Sequence, residues 1–119
     1  MPFEDVRSHL GDIFDSIVLI EKFVCGMDFE AYSWDDKTQA AVERKMLIIS
    51  EAAIRLKDEA EALCPDVPWR DIRGIGNWLR HQYDRVDIET VWNTIQTDLP
   101  SLKAAVERVL ASSRPPAQP

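Results

Sequence analysis

The sequence predicts an all-α fold, an antiparallel bundle of four to five helices, and three observations predict it. Its 119 residues include only four glycines, and its prolines gather at the ends and joints of long uninterrupted stretches, so there is little material for hairpin turns. Apolar residues recur every three or four positions along those stretches, the spacing of a helix with one buried face. No run alternates apolar and polar residues long enough to read as a strand.

The first helix is expected from about Phe3 to Val24, where Val6, Leu10, Ile13, Ile17, Ile20 and Val24 form one stripe, with Gly26 as its terminator. A connector follows, with a single helical turn around Phe29 to Tyr32. Ser33 and Asp35 are both suitable N-caps for a second long helix, expected to reach about Leu63 through Val42, Met46, Ile49, Ala53, Leu56 and Ala60. Pro65 and Pro68 close it, because proline disfavours helical geometry in the residue before it. A third helix is expected from Trp69 to Arg80 or His81, burying Trp69, Ile72, Ile75 and Leu79. The last runs from about Ile88 to Leu110, with a kink or break near Asp98 because Pro100 lies inside it. Residues 1–111 thus read as one domain and residues 112–119 as a flexible tail.

A chain of this length can bury a sufficient core without disulfides or metal. Its 45% apolar and 29% charged residues are ordinary for a globular protein. Without a membrane-length apolar run or a basic-then-apolar leader, the expected location is the cytoplasm, with no membrane association. Cys25 and Cys64 lack metal-ligand spacing and read as reduced, small apolar residues. A net charge of −7 excludes a general nucleic-acid coat. Between Arg70 and Arg85, however, four arginines face two aspartates, which suits a local anion site.

The stretch WRDIRGIGNWLRHQYDRVD, residues 69–87, carries the chemistry. On a helix Arg73, Asn77 and His81 stack at spacings of four, and Arg80 lies three residues after Asn77. One face packs and the other collects an imidazole, an amide and guanidinium groups. Tyr83, two residues past His81, would share its side if the helix ends there and the chain extends. A plain alternative is a solvated helix face with a histidine favoured by the helix C-terminus.

These residues resemble the signature of HepT-like proteins of the HEPN superfamily, in which Met-Arg-Asn precedes a hydrophobic residue, His-x-Tyr and an acidic turn. Asn77, Leu79, His81, Tyr83 and Val86-Asp87 match it. The likeness extends to IISEAAIRL (Ile48 to Leu56), to Trp69-Arg70-Asp71-Ile72 and to VWNTIQTDLPSL (Val91 to Leu102), most of the chain in order. It implies a HEPN-type bundle and a metal-independent endoribonuclease toxin of a type VII toxin–antitoxin pair. It also implies a homodimer, RNA and not DNA as substrate, no cofactor, and a minimal nucleotidyltransferase antitoxin of the MntA type as partner, with Tyr83 as the adenylylation target. One departure stands out: Gly76 occupies the place of the family arginine that stabilises the transition-state phosphate, and the nearest replacements are Arg73 and Arg80.

Cleavage without metal would use the RNA 2′-hydroxyl as nucleophile, with a base, an acid and cations for the charged phosphorane. His81 suits both proton tasks, and a two-fold dimer would bring two copies to one cleft. Asn77 is expected to orient the imidazole or bind phosphate, and Arg73 or Arg80 to hold the anion. Trp34, Trp78 and Tyr32 are candidates for the dimer interface, with core packing as the alternative. Two further readings compete: a HEPN binding module without catalysis that partners a nucleotidyltransferase, and a structural bundle with a solvated polar face.

Overall fold

The computed structural model describes residues 1–80 and 87–112. Among them the chain is helical, without a strand. Helix α1 (Phe3–Phe23) is followed by the short α2 (Phe29–Ser33), then α3 (Asp36–Leu56), α4 (Asp58–Leu63), α5 (Trp69–Arg80), α6 (Ile88–Asn93), a π-helical turn (Thr94–Asp98) and α7 (Leu99–Ala111). Helix α3 is the spine. It packs against α1 on one side and α5 on the other, while α7 lies along α1 and α2 bridges α3 to α6. No helix among the described residues is long and apolar enough to cross a membrane.

The predicted stripes meet at the centre. Val6, Leu10, Ile13, Ile17 and Ile20 of α1 are buried against Val42, Met46, Ile49, Ala53 and Leu56 of α3, with Leu102 and Val106 from α7. Each aliphatic side chain as large as valine or leucine contributes roughly 1.5–3 kcal/mol by leaving water. Where the first helix was expected to stop, Gly26 turns the chain at φ +80°, a conformation open to glycine without steric cost. Asp28 caps α2 through Ala31 N–H, and Asp35 caps α3 through Thr38 N–H at 2.9 Å. That bond holds the Asp35 carboxyl below its ordinary range. Ser33, the other candidate cap, instead closes α2 by donating to the Glu30 carbonyl.

The second long helix does not reach Leu63 unbroken. It stops at Leu56, and Lys57 turns at φ 53° and ψ −138° before α4 resumes. The apolar period runs straight through the break, because Leu56, Ala60 and Leu63 keep their spacing, so pattern alone cannot register it. What ends α3 is a set of carbonyl acceptors supplied with a donor from α5, described below.

The Pro100 expectation resolves into a π-helical turn instead of a break. Proline has no N–H to offer the Gln96 carbonyl, and its ring crowds that oxygen. The coil widens over Thr94–Asp98, and Leu99 N–H reaches back five residues to the Thr94 carbonyl. Hydroxyls of Thr94 and Thr97 bond the carbonyls of Thr90 and Asn93, a contact that itself bends helices. Asp87 opens α6 by accepting from Glu89 N–H, Thr90 N–H and the Thr90 hydroxyl.

Tyr32, a candidate for the interface, is core. It is fully buried, stacked on Trp92 with ring centroids 5.2 Å apart, and burial, helped by Glu43, drives its phenol well above the ordinary range. Cys64 is also buried, and burial raises its thiol; Cys25 is exposed, and both are free thiols. Of the expected tail, residues 112–119, Ser112 accepts from the Arg7 guanidinium at 2.9 Å through its carbonyl, and residues 113–119 lie outside the described residues.

Lys57 holds a backbone conformation that costs a side-chain-bearing residue about 1 kcal/mol or more. Lys57→Gly is therefore expected to raise the unfolding free energy by about 1 kcal/mol, measured by urea denaturation, with the helical circular-dichroism signal unchanged.

Candidate functional site

Helix α5 carries the site, and its placement starts at Trp69. Pro65 and Pro68 keep the chain out of helical geometry after α4, and the helix opens on the Pro68 carbonyl, which accepts from Asp71 and Ile72 N–H. Trp69 is buried to 2% exposure, and its indole N–H donates to the Cys64 carbonyl at 2.9 Å. Ile72 and Ile75 continue the buried face.

Midway along, α5 comes unusually close to α3. The buried Ser50 hydroxyl donates to the Arg73 carbonyl at 2.8 Å and accepts from Gly76 N–H at 3.0 Å. One side chain of α3 is thus threaded into the backbone hydrogen bonding of α5. A Cβ on residue 76 would stand 3.0 Å from Ser50 Oγ, 3.2 Å from Leu47 Cδ1 and 3.2 Å from Arg80 Nη1. Glycine inside a helix costs roughly 1 kcal/mol against alanine. Here it permits the helix contact and leaves room for the Arg80 guanidinium to fold back over it.

The two arginines proposed from sequence have different surroundings. Arg73 reaches across to the α3–α4 joint. Its Nε donates to the Ala53 carbonyl at 3.2 Å and its Nη2 to the Lys57 carbonyl at 2.7 Å, while both terminal nitrogens engage Glu61 at 2.6 and 2.9 Å. It caps the end of α3 and ties α4 to α5. The hydrogen-bonded Glu61 raises the Arg73 pKa, and Arg73 in turn holds the Glu61 carboxyl below its usual range. Arg80 is exposed and has no hydrogen-bond or ion-pair partner among the described residues. Asn77, one turn before His81, is also exposed.

The last described turn of α5 therefore presents Asn77 and a guanidinium without a partner among the described residues, immediately before the sequence His81-Gln82-Tyr83. His81 and Tyr83 lie outside the described residues, as does the expected end of the helix near His81. Of the interface candidates, Trp34 stands 83% exposed and Trp78 is half-buried beside the core. Among the described residues no three His, Cys, Asp or Glu side chains group in a way that could hold a metal ion. Sequence reasoning missed Ser50 and Glu61: both sit on ordinary helical repeats, and nothing local marks them as partners of α5.

Comparison with known proteins adds an independent line. The family model described as ribonuclease HepT-like matches residues 13–109. A protein of Thermococcus cleftensis with the provisional designation ribonuclease HepT is 38% identical over 103 residues, 87% of this chain and 94% of that one. Relatives provisionally designated RNases include one from Methanocaldococcus jannaschii, 30% identical over 110 residues (92% of this chain, 95% of the relative). Another, from Caldanaerobacter subterraneus, is 30% identical over 108 residues (91% and 96%). No solved structure matches the chain.

The contrast between the arginines is directly measurable. Arg73→Ala is expected to lower the unfolding free energy by about 2 kcal/mol, since several bonds to a charged group are lost, whereas Arg80→Ala should change it by less than about 0.5 kcal/mol. The Glu61–Arg73 pair also has a pH signature. A carboxyl lowered by its partner stabilises the fold above the ordinary carboxylate range and loses that contribution as pH falls through the lowered value. Denaturation midpoints across acid pH should show this limb in the wild type and a shallower one in Glu61→Gln.

Proposed function

Because the chain belongs to the HepT-like ribonuclease family, we propose that it is a metal-independent endoribonuclease that cleaves RNA through its 2′-hydroxyl, with Arg80 as the phosphate-binding cation. The observation that carries this reading is the Arg80 guanidinium, which has no partner among the described residues and folds over Gly76, while Arg73 is held by four hydrogen bonds within the fold. Arginine at position 80 follows Gly76 by one helical turn, so both positions share a face. A guanidinium reaching back from position 80 supplies positive charge where the missing side chain would begin.

His81 then acts as general base toward the 2′-hydroxyl and, from a second protomer, a second His81 acts as general acid toward the leaving 5′-oxygen. Asn77 orients the imidazole or donates to a phosphate oxygen. Arg80 meets the charge that develops on the phosphorane, where a positioned donor acts most strongly. The homodimer supplies the two imidazoles, and Trp34, exposed just past the end of α2, suits such an interface. In this reading the protein is the toxin of a cytoplasmic toxin–antitoxin pair. A minimal nucleotidyltransferase antitoxin adenylylates Tyr83, and the added bulk and negative charge repel RNA from the phosphate site.

The competing reading, a binding module without catalysis, rests on Gly76 in place of the family arginine. Purified protein with Tyr83 shown to be unmodified by mass spectrometry separates the two. Cleavage of RNA in excess EDTA is expected to persist in the wild type, to vanish in His81→Ala, and to fall about a hundredfold in Arg80→Ala. Arg73→Lys should instead lower thermal stability with little change in rate per folded molecule. Absence of cleavage by the unmodified wild type would overturn the enzymatic reading in favour of the binding module.

A further inference from the structure

A second feature of α5 lies on the side away from Arg73. A groove of about 390 Å³ separates α5 from the π-helical turn, lined by Arg70, Asp71, Gly74 and Trp78 on one wall and by Thr94 and Asp98 on the other. Its size is that of a small-molecule cleft, and it exists for two reasons. A Cβ on Gly74 would meet nothing within 4 Å, so this turn of α5 projects no side chain into the gap. The widened coil at Thr94–Asp98, imposed by Pro100, shapes the opposite wall.

The lining has a specific chemistry. Trp78, one helical turn after Gly74 and half-buried, also lines the groove and brings an aromatic ring to its wall. Asp71 and Asp98 are exposed and form no ion pair among the described residues. The Thr94 hydroxyl spends its proton on the Thr90 carbonyl, which leaves it an acceptor. The groove thus combines an aromatic platform, a surplus of hydrogen-bond acceptors and one guanidinium, that of Arg70. Negative charge would be repelled beside Asp71 and Asp98 and attracted beside Arg70. An apolar ligand would make no use of the two carboxylates, of which Asp98 Oδ1 accepts a bond from the Thr97 hydroxyl at 3.3 Å. A flat ring with N–H donors along one edge suits the aromatic wall and the acceptors, and a phosphate attached to it suits Arg70.

We infer that this groove is a base-recognition subsite that stacks an unpaired guanine on Trp78 and accepts its N1–H and N2–H groups at Asp98, with Asp71 beside it and Arg70 free for a flanking phosphate. Unpaired bases in RNA are read in this way, by stacking on aromatic side chains and hydrogen bonds to the exposed edge. Guanine alone among the four presents two parallel donors matching a carboxylate. Trp78 follows Asn77 and precedes Arg80 by two residues on the same helix, so a base held there belongs to a nucleotide close to the phosphate that Arg80 would hold. This specificity rests on the ribonuclease reading for its substrate, but the groove's preference can be read without cleavage.

The test is binding of labelled 2′-O-methyl oligouridylates, which lack the nucleophilic hydroxyl, with or without one central guanosine, followed by fluorescence anisotropy. The wild type is expected to bind the guanosine oligomer about tenfold more tightly than oligouridylate. Asp98→Asn, an isosteric change at an exposed site, should remove most of that advantage. Gly74→Leu fills the groove at a position with open space and should reduce the advantage to within about twofold, with thermal stability retained or raised by the better helix former. Equal affinity of the wild type for both oligomers, failure to bind either, or a guanosine advantage that Asp98→Asn leaves intact would each overturn the inference. His81→Ala should keep the preference while losing cleavage of ordinary RNA, so a failed ribonuclease reading and a failed groove give different results.

Discussion

The Ser50 hydroxyl, inserted between the Arg73 carbonyl and Gly76 N–H, sets how α5 lies on the spine of the bundle. Everything chemically distinctive about the molecule follows from that close approach. It leaves little room for a side chain at position 76, and it brings Arg73 within reach of the carbonyls that α3 leaves open at its end. It also turns the opposite face of α5 outward. A buried hydroxyl that both donates and accepts is fully satisfied and ties two helices at one spot. Slippage of α5 by a residue would break both bonds and press a larger side chain against Leu47.

Arg73 shows how a residue suited to catalysis can be recruited by the fold. An arginine offers five donors in a rigid fork, and here that fork is filled by two backbone carbonyls and one carboxylate. Moving it to a phosphate would leave the end of α3 uncapped and Glu61 without its partner. Among the described residues Arg80 carries the same group without those obligations. The difference between the two lies in their neighbours, since both sit on the same helix and in equally polar sequence surroundings.

The family resemblance in the sequence was sound, and the comparisons place the chain among HepT-like ribonucleases over most of its length. The meaning of Gly76 was the part that needed coordinates. From sequence it stands as a lost arginine. In the fold it is a packing requirement of the α3–α5 contact and the space into which Arg80 leans. His81 and Tyr83 owe their standing to the motif, and the structure adds the exposed end of α5 that leads to them. The groove beside Trp78 left no trace in the motif, because Gly74 and Pro100 act there through what they omit: a side chain in one case and an N–H in the other.

The sequence by itself determined the long helices, the face each buries, the cap at Asp35, and the strain Pro100 imposes on the last long helix. All of these arise from interactions within a few residues, which local period, capping chemistry and proline geometry express directly. Tertiary structure alone decided the stop at Lys57, the burial of Tyr32, the commitment of Arg73 and the fold-back of Arg80 over Gly76. The bonds that fix Arg73 and Gly76 join residues 12 to 26 positions apart. Which of many polar side chains meets which carbonyl depends on where two helices cross, and a stripe of apolar residues specifies that they pack without specifying the point of crossing.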